Sequence, residues 1–200
     1  MNTFIYLVRH GQSFHNLRGL VAGQSPSSLT QQGQEDARIV GQSLKKIRFD
    51  LIYSSDLLRA QQTAETIKNI LFLKCPLHVS VLLRELDFGE YTNRPVSEAF
   101  AFLNYREIRN KRYPGGEGFE DLKQRISLFI KKLSNEFLGL NILVTAHAGS
   151  IRMLLGLLDL SGQDKWFKQV ISNQFVAKVT LDRNGDFNEC SVFEKGENVS

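Results

Sequence analysis

Two histidines stand directly after short runs of β-branched and aliphatic residues, in Arg9-His10-Gly11 and in Ala146-His147-Ala148-Gly149. A third such run ends in Ser54-Ser55-Asp56-Leu57-Leu58-Arg59, and a fourth leads into Arg84-Glu85-Leu86-Asp87-Phe88-Gly89. Each piece alone says little, because a lone Arg-His-Gly is usually a strand end and a lone histidine usually structural. Together they put two imidazoles, two guanidinium groups and a carboxylate at four separate strand ends. That set suits phosphoryl transfer, which needs an in-line nucleophile and dense positive charge on the equatorial oxygens. A neutral imidazole is a good nucleophile near pH 7, and neighbouring cations keep it unprotonated. Arg9 and Arg59 can do this while forking onto phosphate oxygens, and His147 is cast as a proton-bearing donor to the same group. Backbone N–H groups after Gly11 and around Ala148 add neutral donors.

The elements that must carry these residues follow from the apolar pattern. Residues Thr3 to Val8, Asp50 to Tyr53, His78 to Leu83 and Asn141 to Thr145 read as short strands. Thr30 to Ile47, Asp56 to Phe72, Glu117 to Phe137 and Ile151 to Leu158 carry helical spacing, with Thr30 and Ser55 as candidate N-caps of the first two. Arg59 then falls in the first turn of a helix, where the positive helix end disfavours it unless an anion lies nearby. The end of the chain reads as a hairpin, Gln174 to Asp182 and Phe187 to Phe193, around Asn184-Gly185, which suits a type I′ turn. Alternating strands and helices predict an α/β fold. The expected architecture is a three-layer α/β/α sandwich with a mostly parallel central sheet and a C-terminal β-hairpin, in one domain over residues 1–200. In such sheets ligands sit beyond the carboxyl ends of the strands, where these polar residues fall.

Bulk properties narrow the class. The 200 residues are 42% hydrophobic and 23% charged, the make-up of an ordinary globular protein. The N-terminal apolar run is too short for a signal peptide, and no run approaches a membrane span. Cys75 and Cys190 have neither metal-ligand nor disulfide-framework spacing, so a reduced cytoplasmic setting is expected. The formal charge of +4 fits either nucleic acid or small anionic substrates. The basic runs (Lys45-Lys46-Ile47-Arg48, Arg109-Asn110-Lys111-Arg112, Lys131-Lys132) are short and scattered, with no interleaved aromatics, which disfavours nucleic acid. No carboxylate cluster has metal spacing, and no cofactor is expected.

The chain resembles the histidine phosphatase superfamily, the phosphoglycerate-mutase-like group, over nearly its whole length. The resemblance rests on Leu7-Val8-Arg9-His10-Gly11-Gln12-Ser13 with Asn16, and on Leu29-Thr30-Gln31-Gln32-Gly33 with Ala37. It continues through Ser54-Ser55-Asp56-Leu57-Leu58-Arg59-Ala60-Gln61-Gln62-Thr63-Ala64, Glu85 with Gly89, and Val144-Thr145-Ala146-His147 with Arg152. The resemblance implies that His10 is the phosphorylated nucleophile, that Arg9, Arg59 and His147 hold the phosphoryl group, and that Glu85 is the proton donor. It extends the phosphate-binding set to Gln12, Ser13, Asn16 and Ala148. The partner it implies is a small phosphorylated metabolite, with neither nucleic acid nor membrane, and a homodimer is left open.

Some positions depart from the family. Ala148 stands where glycine is common, the stretch before Leu29-Thr30 lacks an aspartate, and Glu90-Tyr91-Thr92-Asn93 replaces a usual Trp-Glu-Gly. Mutase members carry Arg-His-Tyr-Gly after the glutamate and a longer insertion before the second histidine. Here Leu86-Asp87-Phe88-Gly89 follows Glu85, and His147 lies 62 positions beyond it. Tyr113-Pro114-Gly115-Gly116-Glu117 is similar to the Pro-Gly-Gly-Glu-Ser stretch of the α-ribazole phosphatase branch. A metal-independent phosphatase is therefore expected, with a mutase and a phospho-ligand binding module as alternatives. His15 reads as a rim residue, and His78 as structural. Tyr91, Arg94 and Glu117 are divided between the mouth of the site and loop packing, and Trp166 with its neighbouring phenylalanines reads as core.

Overall fold

A computed structural model of the protein describes residues 1–102, 111–159, 163–193, 197 and 199. Arg109 and Asn110 of the second basic run lie outside the described residues. Six strands form one sheet: β1 (Thr3–Arg9), β2 (Leu51–Ser55), β3 (Leu77–Ser80), β4 (Asn141–Ala146), β5 (Val176–Leu181) and β6 (Phe187–Phe193). Their order is β3-β2-β4-β1-β5-β6. The first four are mutually parallel, while β5 and β6 run antiparallel as a C-terminal hairpin.

Side-chain alternation divides the strands between two cores, as the period of a pleated strand requires. Ile5, Leu7, Leu51, Tyr53, Ile142 and Val144 face one side. There they meet Leu122, Ile126, Phe129 and Leu133 of α5 (Phe119–Glu136) and Ile151, Leu154 and Leu155 of α6 (Ala148–Leu158). Tyr6, Val8, Ile52 and Leu143 face the other side, against Val40 of α2 (Gln31–Ser43) and Ala64 and Ile67 of α3 (Leu58–Ile70). Burial on both faces explains why the parallel strands are apolar almost throughout. Three shorter helices, α1 (Phe14–Leu17), α4 (Val96–Phe102) and α7 (Gln163–Lys168), complete the described α-helices and carry no periodic signal long enough to be read from sequence. Among the described residues no helix is long and apolar enough to cross a membrane.

Four local expectations are corrected. Thr30 caps α2, accepting from Gly33 N at 3.0 Å, but Ser55 does not cap α3, whose N-cap position is Leu57. The strand expected from His78 to Leu83 stops at Ser80, and Val81–Leu83 forms a 3₁₀ turn whose first free N–H, on Leu82, is taken by the Ser80 hydroxyl at 3.3 Å. The helix expected from Ile151 begins three residues earlier, at Ala148. The hairpin turn is not type I′, because Asn184 keeps a negative φ and only Gly185 is left-handed, at 86°. Gly185 N donates to Asp182 O at 3.0 Å and Asp182 N to Asp186 O at 2.8 Å, giving a type I turn closed by a left-handed glycine. The Asp182 carboxylate favours that form by accepting from Asn184 N and Asp186 N.

Candidate active site

The parallel register brings the reactive residues together. Arg9 of β1 lies opposite Ala146 of β4, and His10 N donates to Ala146 O at 3.0 Å, so the two histidines leave the sheet side by side. Their ring centroids are 5.1 Å apart. Ser54 of β2 is aligned with Thr145 of β4, which sets Ser55 and the start of α3 beside them. Glu85 arrives from the turn after β3.

The hydrogen bonds of His10 set its tautomer. Its Nδ1 lies 2.7 Å from Gly11 O. A carbonyl can only accept, so Nδ1 carries the proton and Nε2 keeps its lone pair. The imidazole is buried, and its pKa is held well below 6.5, chiefly by desolvation and then by Arg9 and Arg59. Asn173 Nδ2 donates to His10 O at 2.9 Å and fixes the backbone from behind.

Arg59 is 1% exposed. Its Nη2 donates to Gly23 O at 2.6 Å and its Nη1 to Ser25 O at 3.2 Å. Arg9 Nη1 donates to Ile171 O at 2.6 Å. Burial pushes both guanidinium pKa values down to about 10, partly offset by Glu85. His147 is fully buried with its pKa well below 6.5, from desolvation first and the positive charge of Arg59 next. Its Nε2 lies 2.9 Å from Ser55 Oγ. Among the described residues, the buried side-chain nitrogen and oxygen atoms without a hydrogen-bond partner are Arg9 Nε, Arg59 Nε, His147 Nδ1 and Gln174 Oε1. Three of the four are nitrogens of the residues around His10. Buried donors are rarely left unpaired, and three in one place fit an anion.

Glu85 Oε1 accepts from Leu86 N at 2.9 Å and Oε2 from Gly149 N at 3.1 Å. Its backbone is held by Arg125 of α5, whose guanidinium donates to the carbonyls of Leu82, Arg84 and Glu85 at 2.9, 2.9 and 3.3 Å. Arg125 also pairs with Glu117 at 2.8 Å, and Glu117 Oε2 accepts from Asp87 N. Glu117 is thus a brace behind Glu85 and does not line the mouth. Glu117 N donates to Asp87 O and Glu90 N to Pro114 O, so the Tyr113-to-Glu117 stretch packs against the turn that follows Glu85.

The other expected site residues divide. Arg9, His10, Asn16, Arg59, Glu85 and Ala148 line one cavity of about 520 Å³. Ser13 is fully buried as the N-cap of α1, its hydroxyl accepting from Asn16 N at 3.3 Å. Gln12 donates its N–H to Asp36 Oδ2 and lines a neighbouring cleft with Gln32, Asn173 and Gln174. The structure therefore does not bring Gln12 and Ser13 to the cavity that His10 lines. His15 is held between Ser27 Oγ at 2.9 Å and Asn93 Oδ1 at 2.6 Å, and Tyr91 stacks on Phe102 beneath Arg94, which are rim and loop-packing roles. Trp166 is core, and Phe167 packs against that core while also lining the cavity. Arg125 and Gly149 hold Glu85 without having been given a role from sequence, and Ser55, read there only as a helix cap, touches His147. A strand-end serine, a helix arginine and a glycine at a helix start carry no signal of their own.

Gly149 gives a specific test. A Cβ there would collide with the Glu85 carboxylate, the movable end of a flexible side chain. Gly149→Ala should thus leave stability within about 1 kcal/mol of wild type while displacing the acid. Like Glu85→Gln, it is expected to slow cleavage of an alkyl phosphate roughly 100-fold, and that of p-nitrophenyl phosphate far less. Equal losses on both substrates would mean that Glu85 orients the phosphate and does not protonate the leaving oxygen.

The two histidines also predict a pH dependence of folding. Both are neutral when native, whereas an unfolded imidazole titrates near 6.5. The unfolded chain then binds more protons below about pH 6.5, so stability falls from there downward, towards the lower native values. The slope approaches about 1.4 kcal/mol per pH unit for each histidine. Urea titrations between about pH 7 and pH 5 read this slope, and His147→Asn should make it shallower. Equal slopes in the two proteins would show that His147 takes up its proton as readily in the native state as in the unfolded chain.

The sequence model of the histidine phosphatase superfamily (branch 1) matches residues 5–191. The chain is 31% identical over 173 residues to the adenosylcobalamin/alpha-ribazole phosphatase of Escherichia coli, covering 83% of this chain and 84% of that one. It is 33% identical over 170 residues to the 2,3-bisphosphoglycerate-dependent phosphoglycerate mutase of Methylobacterium radiotolerans, covering 80% of each. The crystal structure of the alpha-ribazole phosphatase from Shigella flexneri superposes with a TM-score of 0.85 at 25% identity, covering 98% of this chain and 99% of that one.

Proposed function

The chain belongs to the histidine phosphatase superfamily, and on that premise we propose that it hydrolyses a small phosphomonoester through a phosphohistidine on His10, without a metal ion. The observation that carries the proposal is the Nδ1–H bond of His10 to Gly11 O, which leaves the Nε2 lone pair among three buried, unpartnered donors. In the first step Nε2 attacks phosphorus, the ester P–O bond breaks, and Glu85 gives its proton to the departing alkoxide. In the second step a water attacks the phosphorus, its proton passes to the Glu85 carboxylate, and the P–N bond breaks. Phosphate leaves and the His10 lone pair is restored.

Arg9 and Arg59 supply charge to the equatorial oxygens that a magnesium ion would otherwise supply. His147, neutral, has one proton to offer. Ser55 Oγ already accepts from Leu57 N at 3.3 Å and can donate its own hydrogen to His147 Nε2, which puts the ring proton on Nδ1 for the phosphate. Ala148, at the start of α6, contributes a first-turn N–H with no acceptor inside the helix.

A mutase is the second reading, favoured by the relative from Methylobacterium radiotolerans. Leu86-Asp87-Phe88-Gly89 lacks the arginine and histidine that mutase members carry after the glutamate, which favours hydrolysis. The test is phosphate release from p-nitrophenyl phosphate after EDTA dialysis, beside a coupled assay for interconversion of phosphoglycerates. Undiminished phosphate release without interconversion is expected. Activity lost with EDTA and restored by magnesium would overturn metal independence, and interconversion faster than release would make the protein a mutase.

A further inference from the structure

The cavity that opens from the phosphoryl clamp is far larger than a phosphate, and its walls are predominantly apolar. At about 520 Å³ it falls in the range that encloses a drug-sized group. Phe88, Val96, Phe100, Phe119, Phe167 and Val170 are among its walls. Phe88 meets Phe100 edge to face at 6.4 Å between centroids, and Phe119 packs on Phe167 at 5.3 Å. Phe100 is 53% and Val170 76% exposed, so the apolar lining continues out to the mouth. Single exposed apolar residues mean nothing, but several around one opening mark a surface that something apolar covers.

Outside Arg9, His10 and Arg59, the polar side chains among the described lining residues are Asn16, Glu85, Tyr113 and Arg152. Asn16 Oδ1 accepts from Ser13 N and Asn173 Nδ2 within the α1 cap. The Tyr113 hydroxyl donates to Ala99 O at 3.0 Å. Arg152 donates to Gln169 O at 3.0 Å and already feels the opposite charge of Glu85. A substrate carboxylate or sugar would bury its polar atoms against carbon here, at the cost of its hydration.

We propose that this phosphatase acts on monophosphate esters of bulky apolar alcohols, alkyl or aromatic, whose body fills the cavity walled by Phe88, Phe100, Phe119 and Phe167. The inference rests on the phosphatase reading and adds the leaving-group class to it. Cleavage of the P–O bond releases the apolar alcohol on the side of Glu85, and the phosphate leaves from His10 as described above.

The experiment uses n-alkyl phosphates from methyl to hexyl, whose alcohols are equally poor leaving groups, together with the matching n-alkyl phosphonates, which bind but cannot be hydrolysed. The expected result is a rise in kcat/KM of two- to fourfold per methylene, with phosphonate affinity rising in parallel. Phe100→Ser should reduce the ratio of hexyl to methyl phosphate about tenfold. In an aromatic arm, 1-naphthyl phosphate should exceed phenyl phosphate. Hydrolysis that is flat with chain length, or that favours 3-phosphoglycerate or glycerol phosphate over hexyl phosphate, would overturn the inference and leave the phosphatase reading standing. Phosphonate affinity that climbs with chain length without any turnover would overturn the phosphatase reading, and with it the hydrolysis proposed here, while leaving the apolar fit of the cavity.

Discussion

Replacing His10 with alanine should lower turnover of p-nitrophenyl phosphate by about 10,000-fold or more, the scale on which enzymes lose activity when the nucleophile is removed. The loss should come from the chemistry and not from a lost site. Arg9 and Arg59 are anchored to the carbonyls of Ile171, Gly23 and Ser25, none of which depends on the imidazole. Orthovanadate or phosphate should therefore still raise the Tm of His10→Ala, by mass action on the folded state. Rapid quench of wild type with labelled substrate should trap acid-labile, base-stable phosphate on the protein, and the variant should trap none. Undiminished label in His10→Ala would place the nucleophile at another residue.

Arg59→Met should lower kcat/KM by about 1,000-fold, the lower end of what one arginine on a transferring phosphoryl group contributes. The loss should be equal for alkyl and p-nitrophenyl phosphates, since Arg59 acts on the equatorial oxygens and not on the leaving group. This separates it from Glu85→Gln. The folded state is expected to change by less than about 2 kcal/mol. Relief of a desolvation penalty on the order of 3 kcal/mol, from a pKa pushed down to about 10, opposes the stranding of the Gly23 and Ser25 carbonyls. Arg59→Lys should recover no more than about tenfold, because an ammonium cannot hold two carbonyls and fork onto phosphate as well. A loss confined to the alkyl ester would assign Arg59 to the leaving group. Activity lost together with cooperative urea unfolding would make its role structural.

Much of this site was legible because it stands at strand ends. Apolar runs of three to five residues lead to Arg9-His10, Ser54-Ser55 and Ala146-His147, and parallel pairing then makes those strand ends neighbours. Glu85 was legible for the same reason, although a 3₁₀ turn delivers it and the strand does not. What escaped acts across the fold. Arg125 sits in an amphipathic helix like any solvated arginine, and only the packing of α5 beside the turn after β3 sets it against three carbonyls. Ser55 reads as a helix cap because serine so often is one, but its hydroxyl is drawn to His147 once β2 and β4 are adjacent. The family resemblance put Gln12 and Ser13 in the phosphate-binding set with His10. The chain turns sharply into α1 there, sending one to Asp36 and the other into a cap. Phe167 reads as core because aromatic residues usually are, and a cavity wall has the same composition as a core.

The sheet order has a consequence for how the chain acquires its shape. β1 is made before the other five strands of the sheet, yet both its neighbours are distant in sequence, Phe4 pairing with Asn141 on one side and Thr180 on the other. Until those strands exist, β1 has two bare edges and an apolar sequence, the state most exposed to pairing with another chain. Contacts of such long range close slowly, since the loop entropy must be met before any pairing offsets it. His10 and Arg9 sit at the tip of that strand. His10 and Arg9 are therefore placed only once β4 and β5 have been synthesised, and a chain that stops short of β4 lacks both His147 and the pairing that sets His10 beside it.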